Sequence, residues 1–187
     1  MENEKNVVFY KEWLPLPKEQ FRILIYLAMN DSFSGNLSDL CRYFSLNPQN
    51  KTRARIRDAI NELTEKGMIE CKREGRNYIL TIVPKEKEIC LRARWLDSIL
   101  RADFSVSVSS EVVIKLLLWF IDRGAKMFTN EEVSTDLNVS VTTINNARKV
   151  LLDDFEVITQ KYVSTVTEEG EIHRVGQIIE VSAWMKE

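Results

Sequence analysis

The chain has 187 residues, 44% hydrophobic and 29% charged, which is enough to bury a core and excludes a globally disordered or low-complexity chain. Its net charge of −2 is unevenly spread: residues 1–93 carry 16 Lys+Arg against 13 Asp+Glu, and residues 94–187 carry 10 against 15. A dedicated nucleic-acid-binding module is usually basic throughout, so this balance excludes a uniformly cationic surface.

The first predicted element is Val7-Val8-Phe9-Tyr10, a short β-prone run. Pro15 and Pro17 punctuate next, and Pro17 suits the first turn of a helix. Over 18–29, Phe21, Leu24, Ile25 and Ala28 recur at helical spacing; Asn30-Asp31-Ser32 and Gly35 end that helix. Asn36 then caps a short second helix whose stripe is Leu37, Leu40, Cys41 and Phe44. After a turn over 45–50, a third helix runs over 50–66 to Gly67, with Ile56, Ala59, Ile60 and Leu63 inward. A hairpin follows, with strands over 68–72 and 77–83 around Glu74-Gly75, and Pro84 closes the unit.

Residues 85–103 read as a connecting helix, with Ile89, Ala93, Leu96 and Leu100 on one face and Trp95 and Ile99 beside them. That stripe could pack on both flanking units or on a second copy, and the sequence leaves a homodimer open. Residues 104–108 alternate like a strand, and Ser109 or Ser110 caps a helix to Arg123, closed by Gly124. Thr129 caps a short helix over 130–137, and Asn138-Val139-Ser140 is the turn. Ser140 caps a third helix over 141–154 with Ile144, Ala147 and Leu151 inward. Two strands, about 157–166 and 171–181, flank Glu168-Glu169-Gly170.

The halves follow one plan. Asn36 matches Thr129, Leu40 matches Val133, Phe44 matches Leu137 and Leu46 matches Val139. Beyond a five-residue insertion, Ile56, Ala59, Leu63 and Ile69 match Ile144, Ala147, Leu151 and Val157. An internal repeat is expected.

Residues 129–144, Thr-Asn-Glu-Glu-Val-Ser-Thr-Asp-Leu-Asn-Val-Ser-Val-Thr-Thr-Ile, resemble the bacterial helix-turn-helix signature: a capped helix, an x-Val-Ser turn, then x-x-Thr-Val/Ile. With the strands that follow as a wing, the unit resembles the winged helix-turn-helix family. Residues 7–83 resemble it more loosely, because their turn is longer and holds Pro48. The resemblance implies a mainly α fold with small β-hairpin wings (α+β), as two tandem winged helix-turn-helix units joined by a helix. The expected boundaries are 1–84 (basic), 85–103 (connecting helix) and 104–187 (acidic). It also implies binding to double-stranded DNA, as a transcriptional regulator or like the replication initiators of plasmids and phages.

Turning Ile144, Ala147 and Leu151 inward leaves Thr142, Asn145, Asn146 and Lys149 outward, at about 100° per residue. Asn can pair with adenine, and Thr can meet a thymine methyl or a phosphate. In the first unit, Lys51 and Arg55 face outward and Arg53 and Arg57 flank them. Cations near a helix start are disfavoured by the helix dipole, so this alternating cluster points to an anionic partner. Lys72, Arg73 and Arg76 add a basic wing tip. The second wing tip, Glu168-Glu169-Gly170-Glu171, would be repelled by phosphate. It is expected to point away from DNA or to meet protein.

That acidic half supports an alternative, an interaction protein of a phage or mobile element. Its acidic unit would dock on a basic host protein, such as the cationic channel of an RNA-guided nuclease, in the manner of an anti-CRISPR. No phosphate-binding glycine loop, nucleophile elbow or metal-ligand spacing occurs, and His173 is the single histidine. Neither catalysis nor a cofactor or metal is expected. Cys41, Cys71 and Cys90 are odd in number and form no Cys-x-x-Cys pair, so reduced, buried thiols are expected. The longest apolar run, 116–121, is too short to span a bilayer, and residues 1–6 do not read as a secretory signal. A cytoplasmic location is expected.

Overall fold

The structure is a computed structural model that describes residues 5–167 and 169–182. It divides into two compact units, one of Leu16–Glu88 and one of residues 1–15 with 89–187.

In the unit 16–88, helix α1 (Lys18–Asn30) begins after Pro17 and buries Phe21, Ile23, Leu24 and Leu27. Asp31 takes a left-handed φ of 65° and turns the chain into strand β2 (Ser32–Gly35). Asn36 caps helix α2 (Leu37–Tyr43): its side chain accepts from the Ser38 and Asp39 N–H groups, while Asp39 accepts from the Asn36 N–H. This capping box satisfies otherwise orphaned donors. Helix α3 (Asn50–Glu65) buries Ile56, Ala59, Ile60 and Leu63, the expected stripe. Gln20 of α1 donates to Glu62 and accepts from Lys66 Nζ at 3.1 Å, tying α1 to the end of α3. Strands β3 (Ile69–Glu74) and β4 (Asn77–Ile82) form a hairpin closed by Gly75-Arg76. Gly75 has φ 62°, the backbone that a two-residue hairpin turn requires and that glycine adopts without strain. Strand β4 is central and pairs antiparallel with both β2 and β3.

In the other unit, strand β1 (Asn6–Tyr10) pairs with strand β5 (Glu88–Arg92), and Val7, Phe9, Ile89 and Leu91 are buried. Helix α4 (Ala93–Arg101) follows, then α5 (Ser110–Arg123), buried from Val113 through Phe120. Helix α6 (Asn130–Leu137) is capped by Thr129 and ends at Asn138, whose φ of 52° is left-handed. Ser134 Oγ donates to the Val139 carbonyl at 2.7 Å and fixes the turn. Ser140 caps α7 (Val141–Lys149), which continues as a π-helical turn (Val150–Asp154). Val150 and Leu151 in this turn are both buried. Strands β6 (Ile158–Val166) and β7 (Ile172–Val181) then form an antiparallel hairpin.

This architecture corrects the expected mainly α fold with β structure confined to hairpin wings. Seven helices and seven strands in three small sheets, among the described residues, give an α+β molecule that is not mainly α and whose strands are not confined to wings. Two strands carry the difference. The segment Ser32–Gly35 reads as a helix end, and its alternation (Phe33 buried, Ser32 and Ser34 exposed) spans too few residues for periodicity to register. The segment Glu88–Arg92 reads as the start of a helix over 85–103, because Ile89, Ala93 and Leu96 suit a helical period as well. Pairing with β1 decides it, and helix begins only at Ala93. Conversely, residues 104–108 form no strand: the Ser105 N–H and hydroxyl donate to the Asp154 carboxylate at 3.0 and 3.1 Å instead of to a ladder. All three cysteines are free, but only Cys41 is buried; Cys71 is half-buried and Cys90 lies on the exposed side of β5. No helix among the described residues is long and apolar enough to cross a membrane.

Candidate functional site

An open groove of about 620 Å³ lies in the unit 16–88, between the start of α2, the N-terminal half of α3 and the β3–β4 hairpin. Arg53 and Arg57, one helical turn apart on α3, reach it from one side, and Arg73 and Arg76 from the other. Asn36, Ser38, Asn50 and Tyr78 are among the residues between them. The capping box sets where α2 starts, and the tight turn at Gly75 sets where Arg73 and Arg76 stand.

The four groove arginines make no ion pair among the described residues. Arg53 donates to Asn50 Oδ1 at 2.5 Å and to Ser38 Oγ at 3.4 Å. Arg73 donates from Nε to the Gly75 carbonyl at 3.1 Å, and its guanidinium lies 5.6 Å from the centre of the Tyr78 ring. Three carboxylates of this unit are engaged elsewhere. Asp39 pairs with Arg42 at 3.0 Å, Glu74 with Lys72 at 2.8 Å, and Glu19 with Arg55. The groove therefore collects positive charge held by neutral acceptors, which keeps its field available to an outside anion.

Of the residues singled out in this unit, Arg53, Arg57, Arg73 and Arg76 come together. Arg55 turns toward Glu19 on α1, Lys72 toward Glu74, and Lys51 is exposed at the start of α3, off the groove. The alternation Lys51, Arg53, Arg55, Arg57 is thus split by the helix. Positions 53 and 57 share a face, and 51 and 55 lie elsewhere.

In the other unit, Thr142 and Lys149 are exposed on α7, and Asn145 and Asn146 are half-buried. Asn145 is engaged: its Oδ1 accepts from Arg148 at 2.6 Å and from Asn130 Nδ2 at 3.4 Å. It is placed to orient protein groups as much as to meet a ligand. Glu169 and Glu171 are exposed at the end of the β6–β7 hairpin, and Glu168 lies outside the described residues. His173 sits there too, 3.3 Å from Glu171.

Sequence reasoning missed Arg148, Asn130, Gln177, Tyr162 and Arg174, which surround a smaller hollow between α6, α7 and the hairpin. Arg148 donates to Asn130 Oδ1 (3.1 Å), Gln177 Oε1 (2.6 Å) and Asn145 Oδ1 (2.6 Å), all neutral amides. Burial pushes the Arg148 pKa down, with the nearby Arg174 charge adding to that and Tyr162 opposing it. A signal existed: Asn130, Asn145 and Arg148 are spaced as an α6 start and an i, i+3 pair on α7. No group of three or more His, Cys, Asp or Glu among the described residues could hold a metal ion.

No family model matches the chain, and no curated protein is significantly similar to it.

Proposed function

We propose that the chain binds double-stranded DNA, with α3 and the β3–β4 hairpin of the unit 16–88 as the contact surface. One observation carries the reading: Arg53, Arg57, Arg73 and Arg76 converge on one groove with no ion pair among the described residues. Like charges gathered without counter-charge repel, and a polyanion relieves that repulsion while releasing its own counterions. Arginine's planar fork suits phosphate oxygens and guanine edges alike. A transcriptional regulator and a replication initiator would both use such a surface, and both would show a preferred sequence on selection from random duplexes. Both roles belong in the cytoplasm, where free thiols persist.

The test is fluorescence anisotropy on a random duplex of about 30 base pairs, titrated against salt, where log K falls by about 0.9 per phosphate contacted. The unaltered chain is expected to bind with a slope of several contacts. Arg53→Glu with Arg57→Glu is expected to lose binding while keeping its far-ultraviolet spectrum. Unchanged binding by that variant would remove α3 from the contact surface.

A second reading has its own observation. Val166 and Ile172 face each other at the end of the β6–β7 hairpin, 68% and 75% exposed, beside Glu169 and Glu171. An apolar pair ringed by acids suits a basic protein partner. Reversing Glu169 and Glu171 to Lys would weaken that contact and leave affinity for the duplex equal or higher.

A further inference from the structure

We propose that the unit of residues 1–15 and 89–187 carries an anion site of its own, at the root of the β6–β7 hairpin, where Arg148 and Arg174 take a phosphate group between them. The site does not rest on the DNA reading, which concerns the other unit.

Three features build it. The first is a β-bulge. Along the hairpin Tyr162 faces Gln177 and Val163 faces Gly176, but Ser164 faces Arg174, so Val175 is an extra residue. Ile179 and Val181 are buried on the inner face, and strict alternation from them through Gln177 would put Arg174 on the outer one. The bulge moves it to the inner face, over the Tyr162 ring at 3.4 Å.

The second is how Arg148 is held. Three amide oxygens fix its guanidinium, and Gln177 is itself 5% exposed and accepts from Gln160 as well at 2.6 Å. Neutral acceptors orient the cation without cancelling it. Nε and one Nη2 hydrogen have no acceptor among the described residues, and these two donors form the edge that a phosphate can take bidentately.

The third is Gly176. A Cβ there would stand 3.2 Å from the Phe128 carbonyl oxygen and 2.7 Å from Met127 Cγ. Its absence lets β7 close on the chain before α6, through Phe128 N–H to Gln177 O at 2.9 Å and Gln177 N–H to Phe128 O at 3.1 Å. That contact delivers Asn130 and Gln177 to Arg148. Glu131 also lines the hollow, but it is exposed and beyond ion-pair distance of either arginine. Two guanidiniums close enough to repel, with no carboxylate bound to them, constitute an anion site.

The experiment uses the full chain carrying Arg57→Gln and Arg76→Gln, which weakens the groove of the unit 16–88. Inorganic pyrophosphate is titrated while the arginine Nε–H resonances are followed by NMR. Arg148 and Arg174 are expected to shift together and saturably. Adding Arg174→Gln, an exposed position that leaves the fold intact, is expected to weaken binding, read at the remaining Arg148 resonance, about tenfold, the loss of one charge-assisted contact. Arg148→Lys keeps the charge but loses the fork, and is expected to weaken it similarly, read at the remaining Arg174 resonance. No saturable shift, or equal affinity in the Arg174→Gln protein, overturns the proposal. The source of the phosphate is read separately on the duplex, with the groove intact. If Arg174→Gln lowers the salt slope by about one, it is a backbone phosphate. If the pyrophosphate shift is lost and the slope is unchanged, it is a free phosphate. Failure of DNA binding in the Arg53→Glu, Arg57→Glu chain leaves the pyrophosphate result untouched, so the two readings fail separately.

Discussion

Arginines two positions apart on one helix have different fates here, and the difference is testable. Arg55 and Arg57 have the same chemistry, and in sequence both belong to one cluster. On the folded helix Arg55 meets Glu19 of α1, while Arg57 lines the groove with Arg53. An exposed ion pair contributes little to stability, about 0–1 kcal/mol. Yet it determines which guanidinium is available to a ligand. Arg57→Gln is therefore expected to weaken duplex binding by about tenfold, one charge-assisted contact, and to flatten the salt slope by about one. Arg55→Gln is expected to change affinity less than threefold, since it removes a charge already compensated. The check is a pair of anisotropy titrations at three salt concentrations. Equal losses in both variants would mean that total charge, and not groove geometry, governs binding.

Elements were legible in the sequence where a local rule settles them. The caps at Asn36, Thr129 and Ser140, the stripe Ile56, Ala59, Ile60 and Leu63, and the turn at Asn138-Val139-Ser140 all follow from side chains within a few residues of one another. Strands β2 and β5 were not legible, because each is short and made by a partner distant in sequence: β4 for one, β1 for the other. The candidate sites divide in the same way. Arg53 and Arg57 could be placed on α3 by helical spacing, but the Glu19 that removes Arg55 comes from another helix. Arg174 could not be placed at all, because a single bulge reverses the face of every residue beyond it. That bulge works only if the root of the hairpin is anchored, which gives an element-scale prediction at Gly176. Met127 is half-exposed and can swing away, but the Phe128 carbonyl is backbone and must shift a few tenths of an ångström. Gly176→Ala is expected to cost about 1–2 kcal/mol, as strain at a tightly packed position does. It is also expected to speed hydrogen exchange at the Phe128 and Gln177 amides, which bond across this contact, while α3 amides keep their rates. Uniform acceleration throughout the chain would instead indicate global destabilisation with no special role for the anchor.

At the scale of the whole molecule, a buried cation makes stability depend on pH. Lys115 lies in the middle of α5 at 4% exposure, and burial pulls its pKa from the ordinary 10.5 to about 8, with Glu111 one turn earlier opposing the fall. Below about pH 8 the ammonium is charged in both folded and unfolded chains, and the full cost of burying it is present. Between about 8 and 10.5 the folded chain has released this proton while the unfolded chain still holds it. Stability from this group therefore rises with pH across that window, on the order of 1–3 kcal/mol. Other groups act in the opposite sense. Burial raises the Cys41 and Cys71 thiols above 9.0 and the Tyr26 hydroxyl above 10.0, so the unfolded chain loses those protons first and stability falls. A single pH profile would mix these terms, and a difference between two proteins separates them. Urea unfolding of the unaltered chain and of Lys115→Met, measured in parallel from pH 6 to 10, shares every cysteine and tyrosine contribution. The free-energy gap between them is expected to shift in favour of the unaltered chain as pH rises through 8, and to be constant below about 7. A gap constant from pH 7 to 10 would mean that Lys115 keeps its proton throughout, with its Glu111 partner outweighing desolvation.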